Sequence, residues 1–162
     1  MKNKKEKNII IILLTIFIIL LALGIGLLWN NSNKKNSFED PNAVAYNSEI
    51  KKPVDFSKKQ IVLPGFSTIK VDYGSTRSNV ALSNPSFNRV LFKYSVTLVR
   101  NHKEDKLIET EMISPGKAVV GFNIPKGLPK GKYPLKIQVR TFDISSHSQL
   151  NGGDNDAILE VV

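Results

Sequence analysis

From Gln60 to Val162 apolar side chains recur at every second residue, and nowhere in those 103 residues does the 3.6-residue period of an amphipathic helix take over. That alternation puts successive side chains on opposite faces of an extended chain, so it commits the segment to half-buried strands. Ile61 and Leu63 precede Pro64-Gly65, after which Ile69, Val71 and Tyr73 alternate with Lys70 and Asp72, the pattern of two short strands meeting at a Pro-Gly turn. Val80 and Leu82 give a further strand, stopped at Asn84-Pro85. Val90, Phe92, Tyr94, Val96 and Leu98 line one face of the longest run, and Leu91 and Val99 make its other face partly apolar, as in a central strand. His102 to Lys106 reads as a charged hairpin tip and Leu107 to Ile113 as the returning strand, closed by Pro115-Gly116 in positions suited to a type II turn. Alternating strands over Ala118–Ile124, Tyr133–Thr141 and Ala157–Val161 complete the set, with Asp143 to Asp156 as a polar loop. The pattern predicts an all-β domain over 60–162, an antiparallel, immunoglobulin-like β-sandwich of about eight strands. "Immunoglobulin-like" refers to the layering alone, because the paired cysteines of that family are absent. Parallel pairing is not expected, since no connection is long and amphipathic enough to serve as a crossover helix.

The opposite end of the chain follows another rule. Ile9 to Trp29 is a run of 21 residues with no charge and one hydroxyl, Thr15. As a helix it measures roughly 31 Å, close to the hydrocarbon thickness of a bilayer. The run exceeds the usual apolar core of a secretory signal, and Ile25-Gly26-Leu27-Leu28 continues past the small residues Ala22 and Gly24, so an uncleaved transmembrane signal-anchor helix over 9–29 is expected ahead of a cleaved one. Lys2, Lys4, Lys5 and Lys7 precede the span against Lys34 and Lys35 after it, which orients residues 1–8 as a cytoplasmic basic tail and the C-terminal domain outside the cell membrane. Residues 30–59, rich in Asn, Ser and Lys without sustained periodicity, read as a flexible linker.

The ordered series Leu63-Pro64-Gly65-Phe66, Asn84-Pro85, Ile113-Ser114-Pro115-Gly116-Lys117, Leu128-Pro129-Lys130-Gly131-Lys132-Tyr133 and Leu150-Asn151-Gly152 resembles small membrane-anchored extracytoplasmic β-sandwich proteins of Gram-positive bacteria. The likeness covers nearly the whole outer domain. It implies a fold and a compartment, and names neither a substrate nor a catalytic residue.

Chemistry is sparse. With no cysteine there are no disulfides, thiolate metal sites or cysteine nucleophiles. The only histidines, His102 and His147, fall in loops, and Asp143, Ser145, Ser146, His147 and Ser148 crowd triad ingredients into one loop, whereas a nucleophile, base and orienter normally converge from separate elements. No catalytic residues and no cofactor are expected, and the chain reads as a non-enzyme. Asn151 to Asp156, followed by Glu160, offers oxygen ligands in the manner of a calcium loop, with Asp154 and Asp156 as weak metal candidates, but the spacing is not that of an EF-hand and ordinary turn chemistry explains it. Removing the four lysines and one glutamate before the span leaves 19 basic and 13 acidic residues, a formal +6. Lys117, Lys126, Lys130 and Lys132 are the candidate polyanion-binding residues, with Lys51, Lys52, Lys58 and Lys59 flanking the domain entry. Anionic wall polymers and acidic lipid headgroups suit such lysines. Nucleic acid does not, because no aromatic platform interleaves with arginines. The leading expectation is a membrane-tethered binding or adaptor module with a protein partner in the cell envelope, as an accessory component of a secretion, conjugation or surface-assembly complex. Binding of an anionic wall polymer or lipid headgroups is the alternative.

Overall fold

The computed structural model describes residues 8–10, 13–22, 38–57, 59–101 and 103–162. The chain forms two units, Met1–Ser37 and Phe38–Val162. In the first, residues 8–10 and 13–22 are helical, and their large apolar side chains, Leu13, Phe17 and Leu20 among them, are exposed. Among the described residues no helix is long and apolar enough to cross a membrane. The remainder of the 9–29 span, and the lysines on both sides of it, lie outside the described residues.

The second unit is a two-sheet, sandwich-like all-β fold of eight strands: β1 (Ala43–Ala45), β2 (Thr68–Val71), β3 (Ala81–Asn84), β4 (Val90–Arg100), β5 (Lys103–Glu109), β6 (Lys117–Val120), β7 (Gly131–Asp143) and β8 (Gly153–Val161). One sheet has the order β1-β6-β3 and the other β2-β8-β7-β4-β5. The alternation expected along β4 is realised: Phe92, Tyr94, Val96 and Leu98 are fully buried, and they meet Leu135, Ile137 and Val139 of β7 and Ala157 and Leu159 of β8 in one core closed by Leu82 and Val119 from the smaller sheet. The Pro115-Gly116 turn also forms as expected, with Lys117 N–H donating to Ser114 O at 3.1 Å and Gly116 at φ 77°, the left-handed conformation that a type II turn requires there. Two polar contacts tie the sheets together. The Tyr94 hydroxyl donates to Ser83 O at 2.6 Å, and the buried Asn84 amide donates to Val90 O and Ile113 O at 2.8 and 2.9 Å.

Three expectations are corrected. The sandwich is not wholly antiparallel, because β2 pairs in parallel with β8, from Thr68↔Ile158 to Val71↔Val161. A crossover helix is needed only between consecutive strands, and these two are separated by most of the domain, so the constraint does not apply. Ile61 and Leu63 are not a strand and Pro64-Gly65 is not a hairpin turn. The segment 61–67 instead runs extended into β2, and side-chain amides take the place of a ladder: Asn88 exchanges two 3.0 Å bonds with the backbone of Val62, and Asn155 exchanges bonds of 2.6 and 2.8 Å with that of Phe66. Gly153 leaves room for this path, since a Cβ there would lie 2.6 Å from Leu63 Cδ1. Finally, residues 38–57 are not a free linker. β1 pairs with β6 from Ala43↔Val119 to Ala45↔Lys117, and the buried Asp40 carboxylate accepts from Asn42 N–H and Glu111 N–H, both at 2.8 Å. The segment lacks periodicity because only three of its residues join a sheet, while backbone bonds such as Asp40 N–H to Met112 O and Tyr46 N–H to Gly116 O, with the Asp40 carboxylate, hold its first part.

Strand bounds shift elsewhere as well. β5 begins at Lys103, so the charged stretch read as a hairpin tip is mostly strand, and β7 pairs through Pro134↔Ile158 up to Asp143↔Val90. β6 ends at Val120 instead of running to Ile124.

Candidate functional site: an aromatic cleft at the entry end

The registers bring the β3–β4 turn, the β5–β6 connection, the β7–β8 hairpin and Phe38 to one end of the sandwich, since Asn84 pairs with Lys117, Val90 with Asp143, and Met112 N–H bonds Phe38 O. Two turns face each other there. Phe56 N–H closes on Pro53 O at 3.2 Å, and Asn88 N–H closes on Pro85 O at 3.1 Å. Phe56 and Phe87, carried by these turns, meet edge to face with centroids 5.1 Å apart, a favoured aromatic geometry. Both rings are half-buried, and Lys52 Nζ lies 5.6 Å from the Phe56 centroid.

Phe56 borders two clefts. One, of about 420 Å³, is lined by Lys52, Phe56, Ser86, Phe87, Asn88 and Arg89. The other, of about 280 Å³, is lined by Pro53, Val54, Asp55, Phe56, Gln60, Ile61 and Val62, and Val54 stands fully in solvent. The floor is stiff because the buried Asn88 amide joins the two walls: its oxygen accepts from Val62 N–H, and its nitrogen donates to Val62 O and to Asn84 Oδ1. Neither Lys52 nor Arg89 has an ion-pair partner among the described residues. The first cleft thus combines two cations and a hydroxyl with aromatic walls, and the second adds aliphatic surface.

The residues singled out from the sequence lie elsewhere and do not converge. Lys117 Nζ sits 2.9 Å from the Glu39 carboxylate, which this contact holds below the ordinary carboxylate range. Lys132 lies 3.5 Å from Glu160, which Lys70 also approaches. Lys126 and Lys130 occupy the β6–β7 loop with no ion pair among the described residues. Lys117 is at the entry end, whereas Lys132 pairs with Glu160 at the opposite end, with most of the length of β7 between them. Of the entry lysines, Lys52 is in the cleft and Lys58 lies outside the described residues.

Asp154 and Asp156 project from the outer face of β8. Arg140 Nη1 binds Asp154 at 2.8 Å and lowers its pKa, and Asn155 between them turns inward to Phe66. Among the described residues no three acidic or histidine side chains are grouped to hold a metal ion. A hollow of about 460 Å³ borders this region, and its two charged residues, Arg140 and Asp154, neutralise each other. The triad ingredients do not form a relay. His102 lies outside the described residues, the Asp143 carboxylate accepts from the Ser145 and Ser146 N–H groups and the Ser146 hydroxyl, and the His147 ring packs on Phe38 with centroids 4.2 Å apart. The turn's own donors depress the Asp143 pKa.

Phe56, Phe87 and Arg89 were not legible as a site. Each belongs to a turn, and nothing in the spacing of residues more than thirty apart signals that two prolyl turns will oppose each other. No protein-family model matches this sequence, and comparison with curated proteins and with solved structures returns no match.

Proposed function

We propose that the protein is a non-enzymatic binding module, held at the outer face of the cell membrane by residues 9–29, whose entry-end cleft takes an acidic, apolar-bearing segment of a protein partner in the envelope. The observation that carries this reading is the juxtaposition of Lys52 and Arg89, without ionic partners among the described residues, with the Phe56–Phe87 pair in a cleft of about 420 Å³. Cations flanking an aromatic centre suit a peptide in which a carboxylate neighbours an aromatic or aliphatic side chain, and aromatic and Arg anchors dominate the energetics of such contacts. A phosphate-bearing wall polymer offers charge but little to fill the Val54 and Ile61 side, so the aliphatic second cleft favours the peptide. The separation of Lys117 from Lys132 and their engagement with acids also favour the cleft over the four-lysine surface. Support for the anchor is that residues 8–10 and 13–22 are helical with their Ile, Leu and Phe side chains exposed. An immunoglobulin-like sandwich with loops gathered at one end is a common scaffold for recognition, an analogy at the level of fold. The likeness to anchored extracytoplasmic proteins of Gram-positive bacteria points the same way.

The test is selection of a random peptide display library on the full chain in lipid nanodiscs, repeated with Lys52→Gln/Arg89→Gln and Phe87→Ala variants. Enrichment of sequences pairing Asp or Glu with aromatic or aliphatic residues, lost in both variants, is the expected result. Selection without acidic enrichment, or retention by the variants, overturns the reading.

A further inference from the structure

Beside the cleft at the entry end, a second patch faces solvent. Phe38 is 53% exposed, Ile144 45% and Leu150 41%. The β7–β8 hairpin tip that carries two of them is preformed: Asp143 N–H donates to Ser148 O at 2.9 Å, His147 N–H to Asp143 O at 3.0 Å and Leu150 N–H to Thr141 O at 2.8 Å. His147, at φ 54°, packs its ring on Phe38 and so fixes the tip beside the point where the chain enters the domain. From Ile144 to Leu150 the tip carries no Lys, Arg, Asp or Glu, and the one acid at its base, Asp143, is engaged by the tip's own donors.

We propose that Phe38 and the β7–β8 hairpin tip dip into the interfacial layer of the membrane that holds the anchor. The inference rests on the membrane reading of residues 9–29. Trp29, the last residue of the apolar run, precedes Phe38 by nine residues, a connection that covers at most about 32 Å. Three exposed side chains are far too few for a stable protein interface, which takes roughly 20 to 30 residues a side. For a tethered domain, however, contact with its own membrane is intramolecular, and a high effective concentration makes a weak contact sufficient. The missing charge in the tip fits an interfacial layer better than an ionic partner. Docking in this way holds the neighbouring cleft close to the bilayer, where it meets segments of membrane proteins.

Because the chain has no cysteine, single Cys substitutions carry a polarity-sensitive fluorophore without background. The full chain is reconstituted in vesicles of phosphatidylcholine and phosphatidylglycerol with the fluorophore at Ile144→Cys, Leu150→Cys or, as the distant control, Lys130→Cys beside the start of β7. The expected result is blue-shifted emission at 144 and 150, quenched by lipid carrying a shallow nitroxide and unchanged in 1 M salt because the contact is apolar, with no shift at 130. Emission at 144 and 150 matching that at 130 overturns the docking. A shift seen in native membranes but not in these vesicles, which hold no other protein, also overturns it, since a protein then covers the patch. Carbonate extraction separates the two readings: release of the chain overturns the anchor and the docking together, whereas retention without a shift overturns the docking alone.

Discussion

Asn84, Asn88 and Asn155 do work in this fold that their sequence surroundings conceal. Asn84-Pro85 and the run from Asn151 to Asp156 read as turn chemistry, yet Asn84 ends β3 and Asn155 lies within β8; the amides of Asn88 and Asn155 substitute for strand pairing at Val62 and Phe66, and that of Asn84 bonds Val90 O and Ile113 O. An amide has the donor and acceptor of a peptide group, so one side chain can satisfy both the N–H and the C=O of an extended residue. Asn88 is 4% exposed and serves Val62 twice and Asn84 once. Asn88→Ala removes a partner from three groups at once, and a polar group left unpaired in a buried setting costs about 1–3 kcal/mol. We expect a loss on the order of 3 kcal/mol in denaturant unfolding, together with weaker Phe56–Phe87 packing visible as a change in near-ultraviolet circular dichroism. A loss below about 0.5 kcal/mol, the size of an ordinary surface substitution, contradicts the bridging role.

At the scale of elements, what was legible is what depends on local pattern. β4, β7 and β8 announce themselves because one face of each is buried by a neighbour and the other is more exposed, and the type II turn because Pro115 and Gly116 occupy the two positions it favours, although the same dipeptide at Pro64-Gly65 makes no hairpin turn. The parallel β2–β8 pair and β1 were not legible, since each is chosen by a partner distant in sequence and β1 is only three residues long. The outer face of the five-stranded sheet is another case: its charges interleave as pairs that no local spacing signals, with Lys136 at 2.5 Å from Glu104, Arg140 at 2.8 Å from Asp154, Lys106 at 2.5 Å from Glu109 and Lys132 at 3.5 Å from Glu160. Opposite charges across a charged edge strand such as β5 also discourage pairing with another chain. The titration behaviour follows from these pairs. Lys117 holds Glu39 low, Lys106 and then Lys93 hold Glu109 low, Arg140 holds Asp154 low, and the turn's N–H groups hold Asp143 low. A carboxyl with a depressed folded-state pKa stabilises the fold above its unfolded pKa, which lies at about 4, and loses that stabilisation as pH falls through the folded value. Lys136, raised by Glu104, acts with the opposite sign and stabilises only below its upshifted pKa. The thermal midpoint should therefore be flat between about pH 5 and 9 and decline below about pH 4, with a shallower decline in 1 M salt because these pairs are exposed and screened. A midpoint that rises on acidification contradicts the pairing.

At the scale of the whole molecule, the decisive difference between pattern and structure is where the domain begins. Alternation starts at Gln60, but the compact unit starts at Phe38, and the 22 residues between do more than lead into it. They supply β1 as a partner for β6, the Asp40 carboxylate for Glu111 N–H, the Glu39 carboxylate for Lys117, and the Lys52 and Phe56 walls of the cleft. Without them the three-stranded sheet is reduced to β3 and β6, and an isolated two-stranded sheet is marginal in water. It is also this smaller sheet that caps the core, through Leu82 and Val119. A fragment 38–162 should thus unfold in one cooperative transition with a β-type far-ultraviolet spectrum, whereas a fragment 60–162 should lose several kcal/mol against a typical total of about 5–15, or associate through the uncovered β6 edge. The comparison is made by urea unfolding and sedimentation velocity on the two fragments side by side. Equal midpoints and equal monomer fractions mean that residues 38–59 merely lie against a domain complete without them, and the cleft then loses its claim to be a built site.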